Sequence, residues 1–164
     1  MGLTLEEANR ILRGALAKAQ ELNIKISASV CDAGGRPVAF QRMDNAIWAS
    51  AYASQGKAVA SAAFGRPSGE MAERADQPTP RGVAAAEGGH MIMGQGAVPI
   101  IRNGVVEGAC GVSGGTAQQD EDCARAGVAQ LQHPLRRPRV RLLSDIRAVH
   151  RQRSAVRHLP GHVP

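Results

Sequence analysis

Apolar residues near the start of the chain return every three or four positions: Leu5, Ala8, Leu12, Ala15, Leu16, Ala19 and Leu22 share one helical face. Thr4 and Glu7 precede and open this run in the T-x-x-E form of a capping box, so a helix is expected over about residues 4–22. The period then drops to two. Lys25 to Cys31 alternates apolar and small polar residues, Asp32 to Pro37 supplies a glycine turn, and Val38 to Met43 resumes the alternation, which predicts a β-hairpin. After Asp44-Asn45, read as an N-cap, an alanine-rich stretch to Phe64 carries small residues at helical spacing and can pack very closely on a sheet or a neighbouring subunit. Residues 65–96 are rich in glycine and proline; a short helix over Ser68 to Ala75, capped by Ser68, is expected there, with loop or short strand elsewhere. Val98 to Arg102 and Val105 to Val112 flank Asn103-Gly104, a dipeptide suited to the positive φ angles of a tight hairpin turn. Gln118 to Leu131 closes the pattern as a helix with acids in its first turn. This order defines an α+β domain with an antiparallel sheet and helices stacked on it.

Charge divides the chain in a way that the periodicity does not. The 164 residues carry a formal charge of +6, yet residues 1–131 hold 12 Lys and Arg against 13 Asp and Glu, while residues 132–164 hold 8 arginines against Asp145 alone. This tail also contains His133, His150, His158 and His162 and has neither a helical nor a strand period. It reads as a frameshifted or non-native extension, its composition being that of a GC-rich gene translated out of frame. Two other readings stand beside it: a basic arm binding phosphate backbones, which lacks aromatic residues for stacking on bases, and a short helix over Val140 to Val149 packing on another subunit. No stretch of about 18 apolar residues and no basic-then-apolar start is present, so the expected location is cytoplasmic and no membrane partner is expected. Cys31, Cys110 and Cys123 are odd in number and widely spaced, as expected for reduced thiols rather than disulfides or a metal finger.

Four segments, VCDAGGRPVAFQRMDNA, KAVASAAFGRPS, GAVPIIRNGVVEGACGVSGGT and QQDEDCARAGVAQL, in this order and spacing, closely resemble the GlcG/HbpS family of small bacterial proteins, and also the C-terminal domain of PduO-type proteins. The resemblance runs from about Leu3 to Leu131 and implies a profilin-like fold, an antiparallel sheet of about five strands flanked by helices. It further implies homo-oligomers, from dimers to octamers. Family chains typically stop near the end of ARAGVAQL, which supports reading residues 1–131 as the domain. Functionally the family is mixed: some members bind haem, some accompany corrinoid-processing enzymes, and others sit in operons for oxidising glycolate or degrading small acids and aromatics.

Six positions are candidates for a ligand site: Arg42, Lys57, His90, Met91, Ser113 and Gly114. His90 is the one histidine before residue 132; flanked by Gly88-Gly89 and followed by Met91 and Met93, it offers a neutral haem ligand, or else a loop hydrogen bond while the methionines fill the core. Arg42 and Lys57 match positions where the family pattern usually carries Arg and Lys. A guanidinium after a strand can clamp a carboxylate, and an ammonium among small residues can reach a pocket; the alternatives are a salt bridge and snorkelling to solvent. Ser113 and Gly114 open a segment whose N–H groups suit an anion, or form a plain turn with Thr116 as N-cap. Glu87 stands three residues before His90 and forms with it a candidate catalytic acid and base, although a solvated loop glutamate looks the same in sequence. No second ligand cluster accompanies this pair, so no metal site is expected.

Two functions follow. One is the binding of haem or another planar or anionic ligand in a pocket between sheet and helices. The other is a cofactor-free lyase or isomerase for a small hydroxy or aromatic carboxylic acid, with Arg42 holding the carboxylate and Glu87 and His90 moving protons.

Overall fold

The computed structural model describes residues 2–132; the basic segment from His133 onward, with every expectation about it, lies outside the described residues. Helix α1 spans Leu5–Glu21, and strands β1 (Ser27–Asp32) and β2 (Pro37–Arg42) follow as the expected hairpin. Helix α2 (Ala49–Phe64), short α3 (Ser68–Ala72), α4 (Pro78–Ala86), strands β3 (Ala97–Arg102) and β4 (Val105–Ser113) and helix α5 (Ala117–Ala129) complete the order. The strands form one antiparallel sheet in the order β2-β1-β4-β3, which makes four strands where about five were expected. The remainder of residues 65–96, read in sequence as loop or short strand, contributes no strand.

The capping box of α1 is present in full. Glu7 donates its N–H to the Thr4 hydroxyl at 3.2 Å, and the Glu7 carboxylate accepts the Thr4 N–H at 3.0 Å. The same carboxylate takes two hydrogen bonds of 2.9 Å from Arg102 on β3. This bidentate pairing, reinforced by the Thr4 N–H, lowers the Glu7 pKa to about 2, so it remains charged through the mildly acidic range.

Each face of the sheet has its own chemistry. Ala28, Val30, Val98, Ile100, Cys110 and Val112 point to one side and join Ile11, Leu12, Ala15, Cys123 and Ala124 of α1 and α5 in the main apolar core. The other side is lined by small residues, with Ser27, Ser29, Cys31, Ala109 and Gly111 facing α2. Gly111 sets the distance. A methyl group on it would run into the Ser54 carbonyl oxygen and would lie 2.7 Å from the Ala58 amide nitrogen. Ser27 and Ser50 complete the contact with a buried hydroxyl–hydroxyl hydrogen bond of 2.8 Å.

Several local expectations are corrected by the structure. Asn45 does not cap α2; it takes a positive φ of 66° in a turn, and the helix begins after Trp48 with no side-chain cap. Ser68 does not cap α3, because its buried hydroxyl accepts the Ala97 N–H at 2.9 Å and so ties α3 to β3. The proline-rich run expected as loop forms α4, since a proline in the first turn gives up an N–H that has no helical partner there, and the alanines that follow favour helix.

The contact at Gly111 yields a prediction. Gly111→Ala should lower stability by about 3 kcal/mol or more, as overpacking against rigid backbone does, whereas Gly2→Ala, in open space, should be close to neutral. Thermal melts of the two variants check this.

Candidate functional site

A cleft of about 540 Å³ opens on the α2 side of the sheet. Ser29 and Cys31 of β1 and Pro37 of β2 form its floor; Gln55 and Val59 of α2, the turn residues Gly35 and Arg36, and Ala86, Glu87 and His90 at the end of α4 line the rest. Each part is held for a visible reason. The Asp32 carboxylate accepts the N–H groups of Gly34 and Arg36, both at 2.9 Å, and Gly35 adopts a φ of +75° with Val59 packed beside it, so the turn presents Arg36 in a fixed place. At the end of α4, Gly88 and Gly89 take φ values of 68° and 84°, left-handed conformations that stop the helix and turn the chain. Beyond them, Met91 is buried with Val59 and Ala60, and Ile92 donates its N–H to the Gly56 carbonyl at 3.0 Å. His90 is left exposed on the cleft wall.

Glu87 has a partner that the sequence did not reveal. Its carboxylate accepts a hydrogen bond of 2.5 Å from Arg36, 51 residues away, and the pair links the β1–β2 turn to the end of α4. Among the described residues no hydrogen bond joins the side chains of Glu87 and His90, although both line the cleft. Burial pushes the Cys31 thiol up to about 12, so this floor residue stays protonated and is not a nucleophile at neutral pH. Burial likewise raises Cys110 and Cys123, and all three cysteines are free.

Lys57, Ser113 and Gly114, expected in the ligand wall, lie in a different place, outside the lining of this cleft. The Lys57 ammonium is nearly buried, donates to Asp120 at 3.0 Å and to the Val112 carbonyl at 3.2 Å, and does not line the cleft. The second carboxylate oxygen of Asp120 accepts the Gly115 N–H at 2.8 Å, and the Gly114 N–H also turns toward it. Thr116 and Gln119 form a second capping box, with reciprocal bonds of 3.2 and 3.0 Å. The N–H groups that were to receive a ligand anion are thus taken up by this chain's own carboxylate and cap. Burial raises the Asp120 pKa while Lys57 and the glycine N–H groups oppose the rise, so the carboxylate depends on these partners to remain charged.

Two further candidates separate from the cleft. Arg42 ends β2 opposite Ser27, exposed and outside the cleft lining. Met91 is an anchor in the core rather than a group presented to a ligand, because its side chain fills the space between α2 and the turn after α4. Glu87 and His90 are therefore the sequence candidates that the fold brings together, and Arg36 is the residue that sequence reasoning missed. Its place in the hairpin turn gave no signal for a partner 51 positions away. Among the described residues no three His, Cys, Asp or Glu side chains are grouped to hold a metal ion, and no helix is long and apolar enough to cross a membrane.

A four-stranded antiparallel sheet with α1 and α5 on one face and a close-packed α2 on the other, open at one flank to a cleft, defines a small α+β domain. Residues 3–129 match the family model described as haem degrading protein HbpS-like, and the chain belongs to that family. It is 35% identical to protein GlcG of Escherichia coli strain K12 over 112 residues, which is 68% of this chain and 81% of that protein. The structure of the PduOC:haem complex superposes with a TM-score of 0.70 at 27% identity, covering 79% of this chain and 94% of the other. A double mutant of HbpS from Streptomyces reticuli superposes with a TM-score of 0.72 at 28% identity, covering 81% and 89%.

The Lys57–Asp120 pair has a measurable consequence. Lys57→Met should cost about 3–5 kcal/mol, because it leaves a buried carboxylate without its cation. Lys57→Met combined with Asp120→Asn should recover part of that loss, and urea unfolding of the single and double variants measures both.

Proposed function

We propose that the cleft beside α2 binds haem or a related planar, anionic small molecule, with His90 as the protein's nitrogen ligand. The observation that carries this reading is the presence of an exposed imidazole, apolar Pro37, Val59 and Ala86 and a cationic Arg36 around one cavity of about 540 Å³. Small-ligand sites usually enclose roughly 300–1,000 Å³ and combine apolar walls with a few polar groups. The donor set suits haem iron: His90 offers an imidazole nitrogen, while protonated Cys31 does not compete as a thiolate. A haem held there would supply an iron centre for binding or redox chemistry, and the chain would supply the imidazole, the apolar walls and the cation. The relative solved as a haem complex, at 27% identity, supports the same reading.

The lyase or isomerase reading needs Glu87 and His90 to act as an acid–base pair and Arg42 to hold a substrate carboxylate. Glu87 is engaged with Arg36, and Arg42 stands outside the cleft, so the arrangement favours binding over proton transfer. The proposal includes a homo-oligomer, between dimer and octamer, with another copy covering the exposed Phe40, Ile47, Trp48 and Tyr52. Apolar groups of this size gathered around the start of α2 suit a protein interface. It also includes a cytoplasmic setting, which the three unpaired, buried cysteines support, and no nucleic-acid partner for residues 1–131, whose charges nearly balance.

Haemin titration of the full chain, followed by absorbance, tests the ligand. A saturable Soret shift is expected, weakened at least about tenfold in His90→Ala; no saturable shift in the wild type would remove haem from this reading. Sedimentation equilibrium tests the assembly: a mass of two or more chains is expected for the wild type, with dissociation in Trp48→Glu, and a monomer at tens of micromolar would remove the oligomer.

A further inference from the structure

The Arg36–Glu87 pair is a feature of the cleft that ordinary fold stability does not account for. It is partly solvent-exposed, with 64% of the Arg36 side chain accessible, and an ion pair of that kind adds little to stability. Yet the fold takes care to position it. The Asp32 carboxylate and Gly35 fix the turn that carries Arg36, and the glycines after α4 fix the end that carries Glu87. Both side chains line the same cavity. Among the described residues, the Arg36 guanidinium makes one hydrogen bond, through Nη1, which leaves Nε and Nη2 free for a planar two-oxygen acceptor. Among the described residues no other Lys or Arg lines the cleft.

We propose that Arg36 is the specificity residue of this cleft and recognises a carboxylate carried by the ligand, with Glu87 as the internal carboxylate that orients the guanidinium and offsets its charge. The inference rests on the ligand-binding reading above and narrows it to planar ligands with a pendant carboxylate, such as the propionate groups of haem. Arg36 shares its donors between Glu87 and the ligand, so the ligand's negative charge meets both an attracting fork and a repelling neighbour. The balance tunes affinity: an uncharged analogue gains nothing from Arg36, and removing the charge at 87 favours the acid alone. Glutamine at 87 still offers an oxygen to Arg36 and keeps it in place.

The test compares haemin with its dimethyl ester, in which both carboxylates are masked, on the full-length wild type, Arg36→Gln and Glu87→Gln. Wild type is expected to bind haemin about tenfold more tightly than the ester, with the preference shrinking as salt rises from 0.05 to 0.5 M, as for an exposed charge pair. Arg36→Gln should abolish the preference by weakening haemin and leaving the ester unchanged. Glu87→Gln should tighten haemin about threefold or more and leave the ester unchanged. Equal binding of the two probes by all three proteins would overturn the role of Arg36 while leaving the cleft a ligand site. Binding of neither probe by the wild type would overturn the haem reading, and this inference with it.

Discussion

The approach of α2 to β4 governs the rest of the molecule. Gly111 lets the backbone of the helix come within contact distance of the backbone of the strand, and that closeness restricts the residues on both sides to glycine, alanine, serine and cysteine. A layer so thin contributes little apolar area. The bulk of the hydrophobic stabilisation is therefore carried by the opposite face, where Ile11, Leu12, Val30, Ile100 and Val112 are fully buried. The thin layer gives position instead. Because α2 packs on β4, β1 and β3, the outer side of β1 and the start of β2 remain open beneath its flank, and the cleft occupies that opening.

Two groups of charged residues frame this arrangement and behave differently. Lys57, Asp120 and the glycine N–H groups of residues 114 and 115 form a closed set, nearly buried, in which every charge has a partner inside the protein. Its energetic weight lies in the cost of breaking it. Arg36 and Glu87 form an open set at the edge of the cleft, with donors left over and solvent at hand. The first joins α2 to α5 and the loop before it, so it secures the close helix on its sheet. The second spans the cavity that the close helix leaves, which is where chemistry toward a ligand can be expressed.

Most of the fold was legible in the sequence because the devices that build it are local. Thr4 and Glu7, Asn103 and Gly104, and the alternation from Ser27 to Cys31 each place their own element without reference to distant residues. Expectations failed where one residue had a choice of partners. Ser68 has the chemistry of a cap, but a buried N–H at Ala97 is a stronger claim on its hydroxyl than an exposed helix end. Lys57 has the reach for a pocket, and in this structure its ammonium is engaged by the Asp120 carboxylate. Helix α4 was hidden by its prolines, which read as loop and fit equally well in a first turn. Four segments together gave the family; in this structure GACGVSGGT and QQDEDCARAG build the closed charge set, while VCDAGGRPVAFQRMDNA supplies part of the floor and the hairpin turn of the cleft.

That last separation bears on how such a domain acquires different ligands. Of the segments that carry the resemblance, GACGVSGGT and QQDEDCARAGVAQL hold α5 to the sheet and, through Lys57 and Asp120, to α2, whereas Cys31, Gly35, Arg36 and Pro37 of the first segment lie in the cleft. The cleft is made of main-chain floor and small side chains from β1 and β2, with its chemistry supplied by a hairpin turn and by the segment after α4. These two parts touch the closed set nowhere in the hydrogen-bond network described, so a change at Arg36, Glu87 or His90 alters what the cavity presents without disturbing the contacts that fix its shape. On the reading proposed above, a scaffold divided in this way lets ligand choice vary with three side chains at the rim while the glycine contact and the buried pair hold the space in which they act.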